Sequence, residues 1–435
     1  MNPWKDGVLA ERIDTVIRLF LYILIFWLPY SPAVIESCVV ICLILWIVKR
    51  SYILRVHGVR ASSTFQKRLS DFLIGFKPKS SSINTPITFF LAVCLLSVVG
   101  SAFFEQSWHN FLTKTLEWFI VYFLTLEVIT KYKYIRITLL VLLSTAAATA
   151  VDSIIQFHLT HKDFFLGHSI AAGSQATAGF KTPNGLGAYL ALMVPLVLSL
   201  SFVKWENKKY RFVALLTLAL MIWSLMTTFS RGAWFGTSLG IAFFLAIFLF
   251  HKQRLKFYLV FGLSVIMIVL AGWLWLAVTR SLDLESPMRY QTAQWRWNIW
   301  QDCIKMIKDK PFLGHGINTF MRLFETYRRD VGTNPTYAHN CYLQLTAETG
   351  IAGLLSFLWI IIGVFRESLR RINTSVMRGD PRVILSMGLL SGIFAFLIHS
   401  FFDTHFYSLQ LSVYLWFMIG ILMAIHPLKE NHVQT

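Results

Sequence analysis

A histidine and an asparagine stand side by side where a long apolar run begins, in the stretch TYAHNCYLQLTAETGIAGLLSF, residues 336 to 357. Histidine is the usual general acid or base near neutral pH, so His339 is a candidate for moving a proton, with Asn340 in support. The alternative is that His339 only caps the helix or lines an interface. Glu348 is predicted to lie inside the apolar run, where a carboxylate must face a polar cavity or pair with an arginine. His315, in the sequence GHG, is an alternative base.

Arg231 is the clearest candidate for binding an anion. It lies in TTFSRGAWFG, a tight break between two apolar runs, where Gly232 and Gly236 allow close approach of the backbone to another group. A guanidinium fork suits phosphate oxygens and stays charged at any working pH. The alternative is an interfacial arginine whose stem extends along apolar surface toward water.

Three further cations and one amide are candidates for the same site. Arg296 lies among tryptophans in QWRWNIW and either binds the anion or belongs to the polar face of an amphipathic helix. Arg289, seven residues earlier, could share the role. Lys181 precedes the helix start predicted at Pro183 and Asn184, and an exposed helix N-terminus attracts anions.

The composition indicates what kind of elements must position these residues. The 435-residue chain is 56% hydrophobic and 14% charged, which is too apolar for a soluble globular protein. Continuous apolar blocks of about 20 residues indicate transmembrane helices rather than the alternating strands of a barrel. We therefore predict an all-α polytopic membrane protein with about twelve transmembrane helices in a single integral membrane domain, 1–435. The predicted spans are 13–30, 33–48, 86–104, 115–130, 137–158, 184–203, 212–229, 234–250, 258–278, 341–364, 383–402 and 409–425.

The loops between these spans alternate in charge. The basic segment 49–85 and the later basic loops all fall on one face together with both termini, whereas the short loops PYSP, EQSWHN and FFDTHFYS contain no lysine or arginine. The positive-inside rule makes the basic face cytoplasmic, so the candidate residues lie on the outer face. The basic cytoplasmic loops also explain the net charge of +18. Because the charge is explained in this way, we predict no nucleic-acid partner.

Two outer-face segments, at about 159–183 and 279–340, are too long for simple turns, and long loops often carry function. In the larger one, Ser286 and Pro287 predict a helix start and Pro311 predicts its end. The tryptophans of this helix favour a position at the outer membrane interface. The stretch NTFMRLFETYRRD predicts a second short helix.

Metal and disulfide chemistry have little support in the sequence. The outer face has no paired acidic motif and no His-x-x-x-His, so we predict neither a metal nor another cofactor. Cys303 and Cys341 could both lie outside the membrane, and whether they pair is open.

Four motifs together resemble those of the O-antigen ligase and O-antigen polymerase superfamily. His-Asn-x9-Gly-x-x-Gly at residues 339–353 is similar to its signature, and RWNIWQDCIKMIKDKPFLGHGINTF is similar to its Arg-x-x-x-Trp helix and Pro-x-x-Gly-x-Gly turn. FSRGAW resembles its Ser-Arg-Gly turn, and KTPNGLGAYLALMVPL its Pro-Asn helix start. The resemblance covers about residues 175–425 in the family's order, and it does not separate ligases from polymerases.

This resemblance implies a C-type glycosyltransferase-like fold in the bacterial inner membrane. Combined with the topology drawn from the loop charges, it places both termini in the cytoplasm, and the active site and the large helical loop at 279–340 on the periplasmic face. The implied reaction is metal-independent and inverting. It moves a glycan from undecaprenyl diphosphate to lipid A-core, as in ligases, or to another glycan, as in polymerases; membrane lipids are the other partners. By position, Arg231 and Arg296 would hold the diphosphate and His339 would be the catalytic histidine.

A polymerase that joins lipid-linked repeat units is the nearest alternative to the favoured ligase. A solute transporter also fits twelve helices, but the 279–340 loop has no counterpart in the first half, and transporters usually contain two related halves. A lipid-binding scaffold without catalysis would not require a titratable group at His339.

Overall fold

The computed structural model describes residues 3–56, 75–171, 174–203, 205, 207–251, 287–329, 337–376, 380 and 382–425. This part of the chain is helical and contains no strand beyond one isolated bridge between Lys162 and Ser169. Its α-helices are α1 Pro3–Trp27, α2 Pro32–Val56, α3 Asn84–Val99, α4 Phe104–Asn110, α5 Leu116–Val128, α6 Tyr132–Ile155, α7 Pro183–Leu200, α8 Lys208–Thr227, α9 Arg231–His251, α10 Pro287–Asp309, α11 Phe320–Tyr327, α12 Cys341–Val376, α13 Arg382–His399 and α14 Leu409–Ile425. Two π-helices, Phe111–Thr115 and Gln156–Thr160, and a 3₁₀ helix, His405–Tyr407, complete the described elements.

The helical membrane architecture predicted from the apolar blocks is confirmed. Eleven of the predicted spans overlap a helix, and the predicted span 258–278 lies outside the described residues. Seven helices in the described part are long and apolar enough to cross a membrane. Asn84–Val99 and Leu409–Ile425 are apolar but shorter, so the total of twelve crossings stays a prediction.

Ion pairs hold one end of the bundle together. Lys49, in the C-terminal half of α2, contacts Asp14 of α1 at 2.7 Å and Glu127 of α5 at 3.0 Å, and Arg50 contacts the same Glu127 at 2.9 Å. Only 8% of the Lys49 side chain is exposed, so its charge needs these partners. The ends of α1, α2 and α5 that are predicted to share the basic face therefore lie together.

Glycines bring α7, α9 and α13 into close contact. A Cβ atom on Gly187 would lie 2.7 Å from the Ala233 side chain, and one on Gly236 would lie 2.7 Å from the Ala395 carbonyl oxygen. Small residues of this kind let membrane helices pack backbone to backbone. Because α7 and α9 begin where α13 ends, this packing gathers three chain segments at one point.

The segment between α10 and α11 packs against a kink in α12. Gly350 has φ 70° inside the helix, a conformation that favours glycine. The helix turns away there, and Ile351 donates its backbone amide to Pro311 while Gly316 donates to Glu348, both at 2.8 Å. The predicted end of α10 before Pro311 and the second short helix are both confirmed, whereas Ser286 lies outside the described residues.

Candidate functional site

His339 and Asp403 form the centre of the site. His339 lies two residues before the start of α12 and has φ 52°. Its Nδ1 is 3.0 Å from Oδ1 of Asp403, in the loop that joins α13 to α14. A carboxylate only accepts hydrogen bonds, so the proton lies on Nδ1 and Nε2 is the basic nitrogen. Nε2 has no hydrogen-bond partner among the described residues, and 26% of the side chain is exposed. This arrangement can accept a proton from an approaching hydroxyl.

Asn184 and Ser230 extend the hydrogen bonding beyond the carboxylate. Asn184 Nδ2 donates to Oδ2 of Asp403 at 2.5 Å, and Ser230 Oγ donates to Oδ1 of Asn184 at 2.8 Å. Thr182 caps α7 by accepting from the Gly185 amide, which fixes the backbone at Asn184. Four segments distant in sequence therefore meet in one hydrogen-bonded chain.

The two candidate arginines border this chain. Arg231 is exposed at the first residue of α9, directly after Ser230, where the preceding Phe229 has φ 48°. Arg296 of α10 donates from Nη1 to the Phe402 carbonyl oxygen at 3.0 Å, one residue before Asp403. Arg231 is thus next in sequence to a member of the hydrogen-bonded chain, and Arg296 contacts the residue before Asp403.

Aromatic side chains also position His339. The Trp295 and His339 rings lie 5.3 Å apart between centroids. Trp300, on the same helix, donates its indole N–H to the Ala338 carbonyl oxygen at 3.0 Å. The tryptophans of α10 therefore fix the approach to α12, which is a more specific role than the interfacial one predicted from their composition.

Burial and hydrogen bonding set the charges in the α13–α14 loop. Burial opposes ionisation of Asp403, but hydrogen bonds from His339 and the Thr404 amide outweigh it and hold the pKa of this carboxyl below its usual range. Burial lowers the pKa of His405 to about 4, so this histidine is neutral at pH 7. The His405 ring packs against that of His399 with centroids 4.2 Å apart. The ionised Asp403 is consequently available to orient His339 at any working pH.

Asn340 and Cys341 have structural roles beside the histidine. Asn340 Oδ1 accepts from the amides of Tyr342 and Leu343, both at 3.0 Å, and so caps α12. The Cys341 thiol donates to the Asp403 carbonyl oxygen at 3.2 Å. Cys303 and Cys341 are both free and buried, so the structure contains no disulfide between them.

Glu348 anchors the α10–α11 segment to α12. It is buried and accepts from the Asn318 amide at 2.7 Å and from the Tyr407 hydroxyl at 3.0 Å, with further donors from Phe320 and Gln344. Glu348 also lines a cavity of about 390 Å³, counted with its open mouth. The other lining residues include Lys114, Trp118, Asn318 and Tyr407.

His315 is not part of the His339 cluster. Its Nε2 lies 3.0 Å from the Met306 carbonyl oxygen, its ring is buried and contacts Tyr327, and burial lowers its pKa. These contacts favour a packing role over that of the alternative base.

The roles predicted for Lys181 and Arg289 at the anion site stay predictions. Lys181 is exposed before the cap of α7, and none of the hydrogen bonds or ion pairs of the described residues joins it to Asp403 or His339. The backbone of Arg289 lies in α10, but its side chain is outside the described residues. Within the described part of the chain, no group of three or more His, Cys, Asp or Glu side chains is arranged to hold a metal ion.

Asp403 and Ser230 are the functional candidates that sequence reasoning misses. Asp403 lies in FFDTHFYS, a loop that stands out in the sequence only for its lack of lysine and arginine. An acid between two apolar spans, on the face predicted to carry His339, is the signal that could have found it. Ser230 carries no signal of its own in the sequence beyond its place in the Arg231 turn.

Comparison with known families supports the resemblance drawn from the motifs. Residues 216–358 match the model of a family described as O-antigen ligase, and the resemblance is confirmed over these residues. The matched segment runs from within α8 to within α12 and includes Arg231, Arg296 and His339. Asn184 and Asp403 lie outside it. A comparison with curated proteins found no match.

Proposed function

We propose that the protein is a glycosyltransferase of the O-antigen ligase type. In this proposal it moves a glycan from undecaprenyl diphosphate to a sugar hydroxyl of lipid A-core, at the periplasmic face of the bacterial inner membrane. The observation that carries the proposal is the His339–Asp403 pair, with Nδ1 and Oδ1 3.0 Å apart, bordered by Arg231 and Arg296. The family match over residues 216–358 supports the same class of reaction.

The acceptor hydroxyl is a poor nucleophile until its proton is removed. Nε2 of His339 takes this proton while the hydroxyl oxygen forms a bond to the anomeric carbon of the donor sugar. The bond between that carbon and the diphosphate oxygen breaks, and its electron pair leaves with the diphosphate. Asp403 stabilises the imidazolium that forms. General-base catalysis of this kind contributes about 10²–10⁴-fold.

The leaving diphosphate needs positive charge aimed at the oxygen on which negative charge develops, and such stabilisation is often the largest catalytic contribution. Arg231 lies at the N-terminus of α9, where the helix dipole adds to its charge. Arg296 donates a hydrogen bond to the Phe402 carbonyl oxygen, one residue before Asp403. Two guanidinium groups can thus do what a divalent ion does in metal-dependent transferases.

The decisive experiment incubates purified protein with undecaprenyl-diphosphate glycan, with and without lipid A-core, in the presence of a strong chelator. With lipid A-core we expect its glycosylated form, and without it we expect no new glycan product. The transfer activity should survive the chelator. Longer lipid-linked glycan made without lipid A-core would instead identify a polymerase. Normal transfer by His339→Ala would contradict the catalytic assignment. Lys308→Ala, an exposed change on the same outer segment, serves as the control.

A further inference from the structure

The Asp403 carboxylate is held from two sides. Oδ1 accepts from His339 Nδ1 at 3.0 Å and from the Thr404 amide at 2.8 Å, while Oδ2 accepts from Asn184 Nδ2 at 2.5 Å. A carboxylate with a donor at only one oxygen can rotate about its side-chain torsions. With Asn184 at Oδ2, rotation would break a hydrogen bond to a charged group.

The orientation of the Asn184 amide is itself fixed. Its Nδ2 must face Asp403, because a carboxylate cannot donate. Its Oδ1 accepts from Ser230 Oγ at 2.8 Å, so a flipped amide would place its NH₂ against the serine and its oxygen against the carboxylate. Ser230 is almost fully buried and its hydroxyl also lies 3.5 Å from Nε2 of His399. The amide therefore has one favourable orientation.

Ser230 also belongs to the turn that presents Arg231. Its carbonyl oxygen accepts from the Trp234 amide at 3.0 Å in the first turn of α9, and a Cβ atom on Gly232 would lie 2.9 Å from the His399 ring. The turn therefore packs closely on the end of α13. A single hydrogen-bonded chain connects the arginine turn to the histidine through Asn184 and Asp403.

We propose that Asn184 is a positioning residue that locks the Asp403 carboxylate toward His339 and, through Ser230, ties the proton-accepting histidine to the Arg231 turn. This inference rests on the proposed function for its effect on rate. The effect of Asn184 on the His339 tautomer is independent of the proposed function, because the tautomer is a property of the protein without substrate.

Removal of the amide should lower turnover more than donor binding. In Asn184→Ala, Asp403 loses its Oδ2 partner and His339 is no longer held in one tautomer and orientation. A misplacement of this kind costs on the order of 10²-fold in rate. We expect kcat to fall by about that factor while KM for the lipid-linked donor stays within a few-fold. Ser230→Ala should show a smaller loss, and adding it to Asn184→Ala should cause little further loss, because both act through one contact.

Asn184→Asp gives a sharper test, because its effect should depend on pH. An ionised carboxyl at this position cannot donate and repels Asp403, whereas a protonated carboxyl can donate to Oδ2 as the amide does. In this N184D variant, activity relative to the unmodified protein should therefore rise as the pH falls. Asn298→Asp is the matched control, because Asn298 contacts Gln294 on the same helix, and its pH profile should follow that of the unmodified protein.

Other titratable and charged groups surround the contact between residue 184 and Asp403. They come from α9, α10, the start of α12, the end of α13 and the α13–α14 loop, and they are Arg231, Arg296, His339, His399 and His405. These groups are present in both the variant and the unmodified protein. Their own titration therefore largely cancels when the two activities are compared at each pH.

A measurement without substrate separates this inference from the proposed function. ¹⁵N NMR of histidine-labelled protein reports the tautomer of His339, with its signal identified by comparison with His339→Gln. We expect the Nδ1–H tautomer in the unmodified protein and a mixture of the two neutral tautomers in Asn184→Ala, both measured at a pH where the imidazole is neutral. An unchanged tautomer in Asn184→Ala would overturn the positioning role, whether or not the protein transfers glycans. Absence of transfer with the expected tautomer changes would overturn only the proposed function.

Discussion

Asp403→Asn tests the chemistry of the site most directly, because it removes a charge while changing few atoms. The carboxylate accepts from His339 Nδ1, Asn184 Nδ2 and the Thr404 amide at 3.0, 2.5 and 2.8 Å. An asparagine offers one accepting oxygen and one donating NH₂ in place of two accepting oxygens. The new NH₂ group must therefore face either His339 Nδ1–H or Asn184 Nδ2, and each of these is itself a donor.

The first possible orientation of the new amide removes the base, and the second weakens it. If the new amide turns its NH₂ toward His339, the imidazole proton moves to Nε2. With that proton in place, Nε2 can no longer remove the proton of the acceptor hydroxyl. If the NH₂ faces Asn184, the two amides repel each other and the imidazolium that forms loses its charged partner. The loss should match a missing general base, about 10²–10⁴-fold in kcat. This corresponds to about 2.7–5.5 kcal/mol in the activation barrier.

The assay measures kcat and KM with undecaprenyl-diphosphate glycan and lipid A-core, on protein whose folding is checked by size-exclusion chromatography. Asp302→Asn is the matched control, since Asp302 is a buried carboxylate of the outer segment that pairs with Lys305 and Arg329 instead. Asp403→Asn with more than half of the normal kcat would refute the role of the carboxylate. An equal loss in both variants would indicate a structural effect.

Three further predictions concern other parts of the site. Arg231→Lys should lower kcat/KM at least about tenfold, because a point charge does not replace a guanidinium fork, and near-normal kinetics would indicate a packing role. Glu348→Ala should reduce the amount of folded protein rather than kcat alone, since each buried donor left without its acceptor costs about 1–3 kcal/mol; full thermal stability in detergent would contradict this. His405 should contribute a fall in stability of about 1.4 kcal/mol per pH unit as the pH drops from about 6.5 toward 4, because the unfolded chain binds a proton that this buried histidine, with its pKa of about 4, does not. His405→Gln should remove this contribution, so the pH dependence of thermal unfolding should differ between the variant and the unmodified protein, and identical pH dependence would contradict the prediction.

The helices could be predicted well because apolar length is a strong signal in a membrane protein. The span predicted at 184–203 is a helix at Pro183–Leu200, and the span predicted at 383–402 is a helix at Arg382–His399. The short helices α3 and α5, with 16 and 13 residues, show where hydropathy alone does not fix the number of crossings. Packing decides their lengths, and packing is not visible in a hydropathy pattern.

The site could be predicted only in part, because its members meet through tertiary structure. His339, Arg231 and Arg296 carry local signals: a polar residue at the start of an apolar run, or a charge beside one. Asp403 carries a weaker signal, since nothing in FFDTHFYS indicates that this loop reaches a histidine 64 residues earlier. Asn184 is predicted from its helix terminus to support an anion site, whereas its side chain binds a carboxylate.

The order in which the chain is made has a consequence for when the site becomes active. Arg231 and His339 leave the ribosome before Asp403, which follows the histidine by 64 residues. At a synthesis rate of about 5–20 residues per second, that interval lasts roughly 3–13 s. During this time the nascent protein has its arginine turn but no carboxylate to orient the imidazole. Because the loop between α13 and α14 completes the site, chemical competence should begin only after the translocation machinery has inserted both of these helices.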